Sequence, residues 1–144
     1  MSECRNRIID FEPEHLVGLD DAEGVLGGDA LVIGRKHKSL GPCATLLVGD
    51  SVAACGGFHR VRPGIVDVWA SISKSYVGTS VFRTLRNMIS YWMETYSFIR
   101  LQSCVKAEWI EGKRTMQFLG FQEEGVLRKF GPNGEDVRIF ARIR

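Results

Sequence analysis

"SISKSYVGTSVFRTLRNMI", residues 71–89, passes from an alternating apolar stretch through a lone glycine into an amphipathic run. In "IVDVWASIS", which leads into it, Val66, Val68, Ala70 and Ile72 alternate with Asp67, Trp69, Ser71 and Ser73, the period of a strand. Downstream, Val81, Phe82, Leu85, Met88, Ile89, Trp92 and Met93 recur at helical spacing, with Arg83, Arg86, Asn87 and Ser90 opposite them. Thr79 or Ser80 supplies an N-cap. A strand, a glycine turn and a helix start in this order form the local geometry that holds a phosphate. The first helical amides lack intrahelical acceptors, and the helix dipole favours an anion there. The same residues also read as plain scaffold, with Gly78 ending the strand and a capped structural helix following.

Working outward, "RIIDFEPEHLVGLDD" predicts a strand from Arg7 to Phe11 and a helix entered at Pro13 and running to about Leu19. "ALVIGRKHK" fits helix or strand, punctuated by Gly27, Gly28 and Gly34. From Ala44, two strands meet at the Gly49-Asp50 turn, and "VRPG" turns into the strand at Ile65. "FIRLQSCV" predicts a strand, with Cys104 as a small core residue, and residues about 107–119 a helix ending before Gly120. Two closing strands flank "GPNG"; in the last, Val137, Ile139, Ala141 and Ile143 alternate with Arg138, Phe140, Arg142 and Arg144. Helices mixed with a mainly antiparallel sheet predict a single α+β (mixed α/β) domain over residues 1–144.

The 144 residues are 44% apolar and 25% charged, a globular composition with enough chain to bury a core. A net charge of +2 with scattered basic residues gives no nucleic-acid signal. No secretory leader or membrane span is expected. Cys4, Cys43, Cys55 and Cys104 form no C-x-x-C pair, and His15, His37 and His59 are not spaced to complete a zinc site with them. Reduced thiols and no metal are expected.

The element order resembles that of the GNAT (Gcn5-related N-acetyltransferase) superfamily over nearly the whole chain. "VDVWASIS" with its glycine turn and helix carries part of the likeness, and residues 114–143, "RTMQFLGFQEEGVLRKFGPNGEDVRIFARI", carry more. "FLGFQEEG", residues 118–125, is the most specific stretch. A narrower resemblance, in "DFEPEHL" and in the aromatic strand before a glycine-poor turn, is to small GNAT-like assembly and internal proteins of tailed, T7-like bacteriophages.

The superfamily resemblance implies a central, mainly antiparallel twisted sheet flanked by helices. It also implies an acyl-CoA, with acetyl-CoA as the cofactor, bound where the fourth and fifth strands splay. The pyrophosphate would rest on Lys74, Val77, Gly78, Thr79 and Ser80. The family pattern there is Gln or Arg, two residues, Gly, one residue, then Gly or Ala; matched on Gly78, this chain has Ser75 first and Ser80 last. Asp67 is the one carboxylate on the strand where a general base commonly stands, and it reads equally as an exposed strand residue. Four residues before Gly120, where the family often has a proton-donating tyrosine, stands Met116. Tyr91, Tyr96 and Cys104 are substitutes able to donate a proton, and no spacing selects one of them. Arg83 and Arg86 are placed to meet a nucleotide phosphate or solvent, His59 a substrate or the strand end, and Trp69, Trp92 and Trp109 the core. The narrower resemblance implies a virion-assembly role with a degenerate acyl-CoA site, phage structural or assembly proteins as partners, and a place in the host cytoplasm or the virion. The broader one implies an acetyl-CoA-dependent N-acetyltransferase acting on an amine of a protein or small molecule.

Overall fold

Seven strands form one sheet in the order β1-β2-β3-β4-β5-β7-β6. They are β1 (Asn6–Asp10), β2 (Cys43–Val48), β3 (Ser51–Arg62), β4 (Ile65–Ile72), β5 (Arg100–Lys106), β6 (Gln122–Leu127) and β7 (Val137–Ile143). Among the described residues, three α-helices accompany them: α1 (Ala30–Leu40), α2 (Thr79–Thr95) and α3 (Ile110–Phe118). This computed structural model describes residues 6–20 and 29–144, with Thr79 described by its backbone. Cys4, Gly27 and Gly28 lie outside the described residues. The architecture is the α+β arrangement expected from the element order, and β4 with β5 form a parallel pair. No described helix is long and apolar enough to cross a membrane. Two compact units can be distinguished, one of the described residues up to His59 with Val68–Val81, the other of Arg60–Asp67 with Phe82–Arg144.

In the first unit, β1, β2 and β3 are antiparallel neighbours, with Asn6 opposite Val48, Thr45 opposite Cys55 and a register shift at Leu46/Leu47. Gly49 (φ 60°) makes the hairpin turn before Asp50. The strand expected over Arg7–Phe11 is Asn6–Asp10, and the helix expected from Pro13 to about Leu19 is a single 3-10 turn, Pro13–Leu16. Gly18, at φ 77°, leaves the right-handed helical region and the chain turns away. The ambiguous stretch after it is helix α1, whose first turn is capped by Asp29 accepting from the Val32 amide at 3.3 Å. Gly34 lets that helix approach the 3-10 turn, because a Cβ there would stand 2.9 Å from the Pro13 Cα. Phe11, Leu16 and Cys55 form the buried centre, with Ile33 and Trp69 packed on it.

The second unit is built on β5, β7 and β6, antiparallel and paired from Arg100 opposite Ile143 through Leu127 opposite Val137. Its ladder to β4 is parallel and short, Ile65–Asp67 against Arg100–Gln102. β7 has a hydrogen-bonded neighbour on each side, and Phe140, which alternation assigns to the polar face, is fully buried. Cys104, expected in the core, is exposed; Leu101 and Val105 supply the buried positions of β5. On β4, Ser71 is buried while Ala70 is exposed, the reverse of the simple alternation. The face that alternation makes polar is the one on which Trp69 packs beneath His37 of α1.

"FLGF" is a helix terminator. Gly120 takes φ 91°, its amide donates to the Gln117 carbonyl at 3.1 Å, and the Phe121 amide donates to the Met116 carbonyl at 3.0 Å. These two bonds make a Schellman closure, with Phe121 buried beyond it. Arg142 from β7 donates to the Leu119 carbonyl at 3.2 Å and to the Ser90 hydroxyl of α2 at 2.8 Å. Replacing Gly120 by Ala forces a left-handed alanine and brings its Cβ to 3.3 Å from the Arg142 Nε. We expect Gly120→Ala to cost about 1–2 kcal/mol, read as a lower urea midpoint at unchanged m-value.

Candidate functional site

The residues joining β4 to α2 hold most of the polar chemistry of the first unit. Ser73 closes the strand in an extended conformation and caps a one-turn 3-10 segment, Lys74–Tyr76, by accepting from the Ser75 amide at 3.2 Å. The Tyr76 amide donates to the Ser73 carbonyl at 3.1 Å. Three further donors of this turn go to Asp20. The Ser73 hydroxyl donates to one carboxylate oxygen, the Ser75 hydroxyl donates to the other at 3.0 Å, and the Lys74 amide donates to the Asp20 carbonyl at 2.8 Å. Hydroxyl donation from Ser73, then from Ser75, holds the Asp20 carboxyl below the usual carboxylate range, with Lys74 adding a smaller pull in the same direction. Sequence patterns do not point to Asp20, because it lies 53 residues from Ser73 and no local spacing links them.

Past this knot the backbone is open. Among the described residues, the amides of Val77 and Gly78 have no hydrogen-bond acceptor. Helix α2 begins at Thr79, so its first-turn amides have no partner within the helix. Ser80 lies inside that first turn rather than at a cap, and its hydroxyl accepts from Asn6 Nδ2 at 3.2 Å. Gly78 does not adopt a left-handed φ, and a Cβ built on it meets nothing within 4 Å. The fold does not need glycine there. Among the described residues, what the missing side chain leaves is space beside amides without an acceptor, the local geometry that suits a phosphate. Lys74 and Val77 are exposed beside it. The cofactor-binding residues expected from the sequence, Lys74, Val77, Gly78, Thr79 and Ser80, lie along the connection from the 3-10 segment into α2; Ser75 brings no charge. A cleft of about 470 Å³ flanks the turn, lined among others by Glu14, His15, Asp20, Ser51, Ser73 and Tyr76. In it, His15 Nδ1 accepts from the Glu12 amide at 3.0 Å and lies 2.7 Å from the Thr45 hydroxyl oxygen.

Asp67 belongs to the second unit. It is exposed at the last pair of the parallel ladder, opposite Gln102, whose Nε2 donates to its Oδ1 at 2.8 Å. Cys104 follows two residues along β5, on the same strand face as Gln102. Partial burial, then the Asp67 charge, raise its thiol above the ordinary range, so it remains protonated at neutral pH. Met116 is half-buried on α3 and has no proton to give. Tyr91 and Tyr96 are exposed, and the Tyr96 ring stacks on Phe98. Arg86 lies 4.6 Å over the Phe118 ring, whereas Arg83 is exposed. Trp92 is core, and Trp109 packs over Gly112 of α3. Among the described residues, no cluster of three His, Cys, Asp or Glu could hold a metal.

His59 is part of an aromatic stack in the first unit. Its Nε2 lies 3.0 Å from His37 Nδ1, a contact that requires one ring to donate and the other to accept. His37 also stacks on Trp69 at 3.8 Å and 8°. Burial, and then the charges of His59 and Lys36, lower the His37 pKa from 6.5 to about 4.

No protein-family model and no curated protein sequence matches the chain. Solved structures do. A GNAT-family acetyltransferase from Streptococcus pneumoniae superposes with a TM-score of 0.75 at 18% identity, over 96% of this chain and 99% of that one. A ribosomal L7/L12 alpha-N-protein acetyltransferase in complex with coenzyme A gives 0.75 at 12%, over 96% and 93%. A microcin C7 self-immunity acetyltransferase in complex with acetyl-CoA and AMP gives 0.70 at 12%, over 91% and 81%. The fold is that of the GNAT acetyltransferases.

The histidine stack predicts a pH dependence of stability. The unfolded chain takes up the His37 proton near pH 6.5, the folded chain only near 4, so the unfolded state binds more protons between those values. Stability is full above pH 6.5, declines as the pH falls through that window and has lost this contribution below 4. Urea midpoints measured between pH 7 and pH 4 should fall for the wild type, with a shallower fall for His37→Gln.

Proposed function

We propose that this chain is an acetyl-CoA-dependent N-acetyltransferase that transfers an acetyl group to an amine of a protein or small molecule. One observation carries the reading. Among the described residues, the Val77 and Gly78 amides have no acceptor and a Cβ on Gly78 meets nothing within 4 Å, at the place where the GNAT resemblance implies the pyrophosphate. Val77, Gly78 and the first turn of α2 would receive the phosphates, with Lys74 adding positive charge. Bound acetyl-CoA supplies the activated acyl group. The chain must supply proton transfers and alignment. Asp67, held by Gln102 in an exposed position, is the group we assign to take the proton from the acceptor ammonium. Cys104 is the nearby group that can return one.

A second reading rests on Met116, which stands where the resemblance places a proton-donating tyrosine. In that reading the fold is a scaffold in phage particle assembly, partnered by other phage structural proteins in the host cytoplasm or the virion. It predicts no turnover.

A thermal-shift titration separates the two. Acetyl-CoA at about 100 times its Kd should add about 2.7 kcal/mol of stability. Gly78→Val should melt at the wild-type temperature without ligand and lose the shift, since its side chain enters only the space proposed for the phosphate. Asp67→Asn should keep the shift and lower kcat by about 100-fold or more. No shift at millimolar acetyl-CoA leaves the scaffold reading.

A further inference from the structure

The Asp20 contact bears on how the phosphate turn is used, and its role rests on the acetyl-CoA reading of that turn. Every polar atom that Asp20 can offer to the turn is engaged. Its two carboxylate oxygens take the hydroxyls of Ser73 and Ser75, and its carbonyl takes the Lys74 amide. These are neutral donors that an incoming phosphate would otherwise find at the entry to the cradle, and Ser75 stands at the first position of the family's phosphate-binding pattern. A pyrophosphate is a dense anion, and a carboxylate beside it is repelled at short range. Asp20 is on the surface, outside the 3-10 turn of Pro13–Leu16, and is held by these contacts rather than by burial.

We infer that Asp20 is an internal competitor for the phosphate turn, an autoinhibitory latch that the cofactor must displace or bind against. The donors at the start of the turn, the Ser73 and Ser75 hydroxyls and the Lys74 amide, are thereby held by an anion of the chain's own in the absence of ligand. Binding of the cofactor is then coupled to release of the segment carrying Asp20, and any event that pulls this segment away raises affinity without touching the cradle amides at Val77 and Gly78.

The same hydrogen bonds admit the opposite role, a brace that orders the turn for the ligand, and the two roles give opposite signs. Coenzyme A is titrated calorimetrically into the full-length wild type, Asp20→Asn, Asp20→Ser and Glu14→Gln, with circular dichroism melts showing that each variant is folded. Glu14 lines the same cleft without a hydrogen bond to the turn, so its variant reports the effect of removing a nearby negative charge alone. A latch closed about nine-tenths of the time reduces apparent affinity about tenfold. Both Asp20 variants should therefore bind coenzyme A about tenfold tighter, with Glu14→Gln near wild type. Unchanged or weaker binding in the Asp20 variants, or an equal gain in Glu14→Gln, overturns the latch while the cofactor reading stands. Binding by the Asp20 variants and not by the wild type supports it most strongly. Absence of binding in all four proteins removes the acetyl-CoA reading, and the latch with it.

Discussion

The constraint on which the candidate site depends is that every backbone donor released where β4 hands over to α2 must find an acceptor or face solvent. A strand satisfies its amides laterally and a helix four residues back, so the residues between them can use neither scheme. The chain solves the first half of this stretch internally. Ser73 caps the 3-10 turn, and Asp20 collects the Lys74 amide and two serine hydroxyls. Among the described residues, it leaves the amides of the second half, Val77 and Gly78, without an acceptor. This division explains why one turn carries both a carboxylate contact and, among the described residues, amides without an acceptor within a few residues.

A comparable device at the other end of the chain serves structure alone. Helix α3 must stop and return the chain to β6, and Gly120 does so through the Schellman closure, with Arg142 donating to the Leu119 carbonyl. That position costs Arg142 some of its basicity, since desolvation, and then the nearby Arg86, lower its pKa. The most family-specific stretch of the sequence is therefore a helix terminator. Its contacts serve the fold.

Much of the architecture is legible in the sequence because its signals are local. The period of 3.6 over Val81–Met93, the Gly49-Asp50 turn and the glycine ending α3 each act within a few residues. Local signals fail where coverage of a face decides burial. Alternation places Phe140 among arginines, yet β7 is an interior strand and the ring is buried. The apolar neighbours of Cys104 suggest core, and it is exposed. The helix expected to run to Leu19 ends at Leu16, because Gly18 takes a left-handed turn.

By itself, the sequence determined the strand, glycine turn and helix around Gly78, the hairpin turn at Gly49-Asp50, the helix stop at Gly120 and the single carboxylate Asp67 on its strand. Each is a property of residue type and near spacing. Only the tertiary structure decided that Asp20 sits on Ser73 and Ser75, that Gln102 holds Asp67, and that His37 stacks between His59 and Trp69. Those contacts join residues 22 to 55 positions apart, and the sheet register and helix packing that bring them together leave no periodic trace in the chain.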